Sequence, residues 1–161
     1  MEKKPVKRNE NLAKLSRDHH ASLMFCWKLR QGIKQHAATE RMVKYVQYFL
    51  NHHFNPHFKE EEEILFAGLD DSKVQKAIDD HVFIKSSIHK ILTPDSGNQP
   101  DKLSALANSV DEHVRYEERI LFPHLENKLN EEQLKAIGEL ISDEVLKDNY
   151  EDEFWIKNKS L

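Results

Sequence analysis

Two ten-residue segments of this chain are nearly alike: residues 57 to 66 read HFKEEEEILF and residues 113 to 122 read HVRYEERILF. Each copy sets a histidine four residues before a glutamate, His57 with Glu61 and His113 with Glu117. Four residues of α-helix advance about 400° and about 6 Å, so each pair stacks an imidazole and a carboxylate on one helix face. Such a pair is half of a metal site. A shorter echo, Asp18-His19 and Asp80-His81, lies in two other segments. In order, the chain reads His, His-x-x-x-Glu, His, His-x-x-x-Glu.

Apolar residues recur at helical spacing in the four segments that carry these groups. The first stripe is Leu12, Leu15, His19, Ser22, Cys26, Leu29, Ile33; the second is Val43, Val46, Leu50, His53, His57, Ile64. The third is Val74, Ala77, His81, Ile84, Ile88, Ile91, with Asp70, Asp71 and Ser72 as candidate caps. The fourth is Leu103, Leu106, Val110, His113, Glu117, Ile120, after a loop running from Pro94 to Pro100. Only four Gly and five Pro accompany 32% charged residues, which suits helices with short connections rather than a β-rich fold.

The expected architecture is all-α, an up-down-up-down four-helix bundle with an additional C-terminal helix. The 161 residues form one expected domain, its core at about 10–128, its last helix at about 130–147 and a tail beyond. Asn130 and Gln133 resemble a capping box opening that last helix, and Phe154, Trp155 and Ile156 either dock back on the body or form an interface. Pro56 is expected to bend the second helix beside His57.

This topology places His19, His57, His81 and His113 at one height, roughly 12 to 18 Å from one end of the bundle. With Glu61 and Glu117 they make six converging polar groups in an apolar core. Buried without partners, these groups cost several kcal/mol, about what a cation would relieve. The set exceeds one tetrahedral zinc, whereas two ions can each take two imidazoles and share both carboxylates, leaving positions for solvent, a bridging oxide or hydroxide, or a small diatomic ligand.

Other histidines rank lower as ligands. His20 points about 100° from His19, and His53 stands one turn before His57 as a possible fifth imidazole. His89 and His124 are expected to be structural, and Glu62 and Glu118 to brace the ligands. The lone Cys26 excludes an intrachain disulfide and is expected to be an inert packing residue. A formal charge of -4 without a basic stripe argues against nucleic acid, and the basic cluster of Lys3, Lys4, Lys7 and Arg8 is read as a solvated end. No apolar run is long enough to span a membrane or form a secretory signal, so a cytoplasmic location is expected.

With these residues assembled, the chain resembles the hemerythrin-like, histidine-histidine-glutamate cation-binding family. The resemblance rests on Asp18-His19, His57-Phe58 with Glu61-Glu62, Asp80-His81, and His113 with Glu117-Glu118 before Ile-Leu-Phe-Pro123. It implies a bundle holding two iron ions, oxo- or hydroxo- and carboxylate-bridged, with His57 and His113 as terminal ligands and Glu61 and Glu117 as bridges. Zinc or manganese is the alternative metal. Oxygen-carrying relatives place a further histidine four residues after the one on the third helix, where this chain has Lys85. The expected function is a non-haem di-iron protein that binds or senses a diatomic or reactive oxygen or nitrogen species, or iron itself. A di-iron oxidase or peroxidase-like enzyme and a zinc-stabilised interaction module are the alternatives.

Overall fold

The computed structural model describes residues 7–93 and 99–157, and within them the chain is helical with no strands. Helix α1 is Ala13–Lys34 and α3 is Ser72–Leu92. Helix α2 runs from 39 to 65 and α4 from 99 to 128 as continuous rods, each interrupted by wider π-turns. Helix α5 is Glu131–Leu140. Asp71 caps α3 by accepting from the backbone N–H groups of Lys73 and Val74, and Asn130 with Gln133 forms the capping box of α5.

Successive long helices run antiparallel, because residues early in one meet residues late in the next. Leu12, just before α1, and Leu15 share an apolar cluster with Leu65, Val74, Ala77 and Leu125. Phe25 and Leu29 share the other with Met42, Tyr45, Ile88 and Leu103. The polar layer lies between these two clusters, flanked by hydrocarbon on both sides. No helix among the described residues is long and apolar enough to cross a membrane.

The π-turns decide which side chains face inward. One spans Leu50–Phe54, one Glu61–Leu65 and one Glu117–Leu121, so the last two each open on the glutamate of the repeat. The extra residue in such a turn rotates the downstream side chains by about 100°. Of the two residues placed on the core stripes by regular helical spacing, Ile120 therefore turns outward and Ile64 keeps a partly buried place at the edge of the cluster, while Leu65 and Leu121 take the interior.

The same device accommodates the prolines. The Asn55 N–H reaches back five residues to Leu50, and the Phe122 N–H to Glu117, immediately before Pro56 and Pro123. Pro56 thus opens a new α-helical segment at its first turn, where a missing N–H costs little. A π-turn precedes Pro56, and α4 continues through Pro123 to Lys128.

Two expectations at the ends are corrected. Helix α5 stops at Leu140 instead of reaching 147, because Ile141 turns to extended backbone and is buried. Beyond it, N–H groups of the segment are taken by side chains of the body instead of by a helix. Arg8 is not solvated: its guanidinium pairs with Glu126 at 2.6 Å and with Glu118 at 3.4 Å. Lys3 and Lys4 lie outside the described residues, as do residues 94–98 of the expected loop.

The C-terminal segment docks back on the body. Phe154 is buried beside Tyr45 and packs over Gly32, where a Cβ would come within 2.8 Å of both the Phe154 ring and Met42 Sδ. Glycine is required there by that close approach of the chain.

Candidate metal centre

Each long helix delivers one histidine to the polar layer, and α2 and α4 each add a glutamate. His19, His57, Glu61, His81, His113 and Glu117 are all buried. Their ligand atoms fall into two groups, His19, His57, Glu61, Glu117 and Glu61, His81, His113, Glu117, within each of which the atoms lie inside 4.8 Å of one another. Both glutamates belong to both groups.

The Nε2 atoms face inward. His19 Nε2 is 2.9 Å from Glu117 Oε1, His57 Nε2 is 3.4 Å from Glu61 Oε2, His81 Nε2 is 3.1 Å from Glu61 Oε1, and His113 Nε2 is 3.4 Å from Glu117 Oε1. Despite these distances, His57 Nε2, His81 Nε2, His113 Nε2, both Glu61 oxygens and Glu117 Oε2 have no hydrogen-bond partner. The atoms are close to one another without being aligned for hydrogen bonding. Buried polar atoms left so are costly, and a cation is what imidazole nitrogens and carboxylate oxygens in this arrangement would hold.

The Nδ1 atoms face outward, each to a carboxylate carried by a different helix. His57 Nδ1 meets Asp18 at 3.3 Å and His113 Nδ1 meets Asp80 at 3.1 Å. His19 Nδ1 meets Glu118 at 2.7 Å and His81 Nδ1 meets Glu62 at 2.6 Å. When Nδ1 donates to a carboxylate, the lone pair of the neutral ring is left on Nε2, pointing into the layer.

The bracing is reciprocal. The acid just before each α1 and α3 histidine holds the histidine of the following helix, and the acid just after each repeat glutamate holds the histidine of α1 or α3. The final phenylalanine of each repeat obeys the same rule: Phe122 stacks on His19 at 5.4 Å and Phe66 on His81 at 6.3 Å. The two copies are thus related by an approximate two-fold axis through the layer. Glu62 and Glu118 stand where sequence reasoning puts them. Sequence reasoning misses these contacts of Asp18, Asp80, Phe66 and Phe122, although their fixed offsets from the six groups are the available signal.

Charge agrees with this arrangement. Burial presses His81 down, but the carboxylates of Glu117, Glu61 and Glu62 overcome it and carry the imidazole up to about 11. His19 moves well upward through the same contest of burial with Glu117, Glu118 and Glu61, and His57 and His113 also move up. Burial works to raise Glu61 and Glu117, yet the surrounding imidazoles hold both below the ordinary carboxylate range. With no cation bound, protons on the imidazoles supply the positive charge that the buried carboxylates demand.

The model of the hemerythrin HHE cation-binding domain matches residues 10–125. The chain belongs to that family. The match covers all six side chains of the layer, and α5 and the C-terminal segment lie outside it. Comparison with curated proteins and with solved structures finds no match.

The secondary candidates fall outside the layer. His53 belongs to neither group of ligand atoms: its Nε2 is 3.0 Å from Ser22 Oγ, its ring stacks on Phe49, its Nδ1 is buried without a partner, and burial lowers its pKa to about 3. His20 is exposed on α1. His124 bonds Asp71 at 2.7 Å, a tie between α4 and the start of α3. Cys26 is buried with its thiol pushed up to about 12, and its Sγ–H donates to the Ala107 carbonyl. Lys85, half-buried, sets its ammonium 5.8 Å from the Phe58 ring centre, and Phe58 in turn stacks on His81 at 3.8 Å.

Proposed function

We propose that this chain holds two iron ions, one by His19 and His57, the other by His81 and His113, with Glu61 and Glu117 shared between them. The observation that carries this reading is the set of buried imidazole nitrogens and carboxylate oxygens that have no partner in the protein. Two nitrogens and two shared carboxylates per ion give about four donors, short of the six of an octahedral ion, and the absence of cysteine and the sharing of both carboxylates set the group apart from a structural zinc site. Iron supplies, when bound, exchangeable coordination positions and a redox couple.

The chain's own residues prepare those positions. Asp18, Asp80, Glu62 and Glu118 fix the tautomer and aim of every imidazole. Phe58, Phe66 and Phe122 stack on the rings of His81 and His19 and hold them in place. The groups set against the layer are carboxylates and covering rings, which suits binding or sensing of a diatomic or reactive oxygen or nitrogen species.

Metal analysis with a visible spectrum, on protein purified under air, tests this. Two irons per chain, a charge-transfer band and a spectral change on adding nitric oxide are expected. A colourless protein carrying one zinc, or an iron spectrum indifferent to nitric oxide, contradicts the reading.

A further inference from the structure

The two halves of the layer are related by sequence repeat, and their four imidazoles are equally buried; the braces Glu118 and Glu62 are also exposed alike, at 30% and 35%, so the halves differ only at the acid that precedes each α1 and α3 histidine. Asp18 and Asp80 are counterparts, yet the Asp18 side chain has no exposure and that of Asp80 retains 26%. Asp18 is covered by Lys14 and by the segment beyond α5, which has no counterpart among the described residues on the other side of the bundle.

That segment runs along α1 and α2 and is fastened at intervals. The Ser142 N–H donates to Glu60 at 2.9 Å, and the Leu146 N–H donates to Asp18 Oδ1 at 2.9 Å. Asp148 accepts from Lys28 at 2.9 Å and from the Tyr45 hydroxyl, and the Asn149 N–H donates to the Tyr48 oxygen at 3.1 Å. Phe154 anchors the far end in the core. Lys14, itself buried, bridges Asp18 and Glu60. The carboxylate that orients His57 is therefore held on one oxygen by the C-terminal segment.

On the opposite side a crevice of about 220 Å³ opens between α3 and α4, with Asp80, Phe83, Ser109, Glu112 and His113 among its walls. Such a volume holds several waters, each filling about 30 Å³. Its acidic groups, Asp80 and Glu112, favour an approaching cation, with Lys76 offsetting part of that charge. The cleft beside the C-terminal segment, by contrast, is lined by Tyr48, His52 and residues of that segment and reaches none of the six layer side chains.

We infer that the half at His19 and His57 is sealed by residues 141–157 and retains its cation, whereas the half at His81 and His113 exchanges its cation and meets outside ligands through the crevice between α3 and α4. This rests on the two-ion reading above. Release from the sealed half requires the C-terminal segment to lift first, a local opening that costs free energy and slows exchange.

The test uses the full chain loaded with Co²⁺ without oxygen and then mixed with excess EDTA, following the cobalt absorption. Two ions bind and leave in two phases of equal amplitude, separated by about tenfold or more in rate. Leu146→Pro, which removes the N–H given to Asp18, accelerates the slow phase alone. Phe154→Ala, which frees the anchor far from the layer, does the same and keeps the test standing if the proline variant does not fold. Ser109→Trp fills the crevice and slows the fast phase alone. Two ions leaving together, or C-terminal variants that speed both phases equally, overturn the inference and leave the two-ion reading intact. Uptake of fewer than two ions overturns both.

Discussion

Asp18 on α1 and His57 on α2 are joined side chain to side chain at 3.3 Å, with Nδ1 of the imidazole against Oδ2 of a fully buried carboxylate. The bond fixes which nitrogen of His57 faces the layer. Asp18→Asn keeps the shape but removes the charge that favours the Nδ1–H tautomer, so metal affinity falls by about 10- to 100-fold with the fold retained. Competition with a chromogenic chelator, together with circular dichroism, measures both. Unchanged affinity would show that the bond does not orient a ligand.

Glu117 faces His19, His81 and His113 at once, at 2.9, 3.7 and 3.4 Å. Glu117→Ala removes one of the two carboxylates common to both groups, and His57→Ala removes one imidazole. A ligand that binds only the native state stabilises it by RT ln(1 + [L]/Kd), about 4 kcal/mol when free metal is 1,000 times Kd. Both variants should therefore lose most of the rise in Tm that iron gives the parent protein. Thermal melts with and without iron check this, and an undiminished rise in both contradicts the ligand assignment.

Asp71 caps α3 and accepts from His124 and Lys128 of α4, and those two partners hold its carboxyl well below the usual carboxylate range. A depressed folded-state pKa stabilises the fold fully above the unfolded value of 3.8, and the contribution fades as pH falls through the folded one. Asp71→Ala should cost about 1 kcal/mol at pH 7, the typical worth of a cap. The gap between parent and variant closes as the medium is acidified below about pH 4. Urea unfolding at pH 7 and pH 3 measures it, and a gap that widens in acid would contradict the assignment.

Gly32 meets both Met42 and Phe154. Gly32→Ala gains about 1 kcal/mol of helix propensity but drives a methyl group into the Phe154 ring, and overpacking of that kind costs about 1–3 kcal/mol. Met42 can swing aside; a ring held in the core cannot do so without lifting the C-terminal segment. The expected outcome is a net loss of stability with a change in Trp155 fluorescence. A stabilised protein with an unchanged spectrum would show that Phe154 is not held tightly.

The level placement of six side chains was legible in sequence because it needs only helix rise, antiparallel connection and the spacing of repeated residues. Helix caps at Asp71 and Asn130 were legible for the same local reason. The π-turns were not, since an extra residue per turn leaves no mark on an apolar pattern beyond Leu65 and Leu121 replacing Ile64 and Ile120 in the core. The end of α5 at Leu140 was hidden because the groups that compete with helix there, Glu60 and Asp18, lie far away in the chain. The carboxylate braces were half visible: their acids sit at constant offsets from the six groups, but which helix each one serves is a fact of packing.

Anomalous diffraction at the iron absorption edge, from crystals of the iron-loaded protein, tests the central claim most directly. Two peaks are expected between Glu61 and Glu117, one beside His19 and His57 and the other beside His81 and His113. A single peak, or iron bound elsewhere with the layer side chains hydrogen-bonded only to one another, would contradict the account.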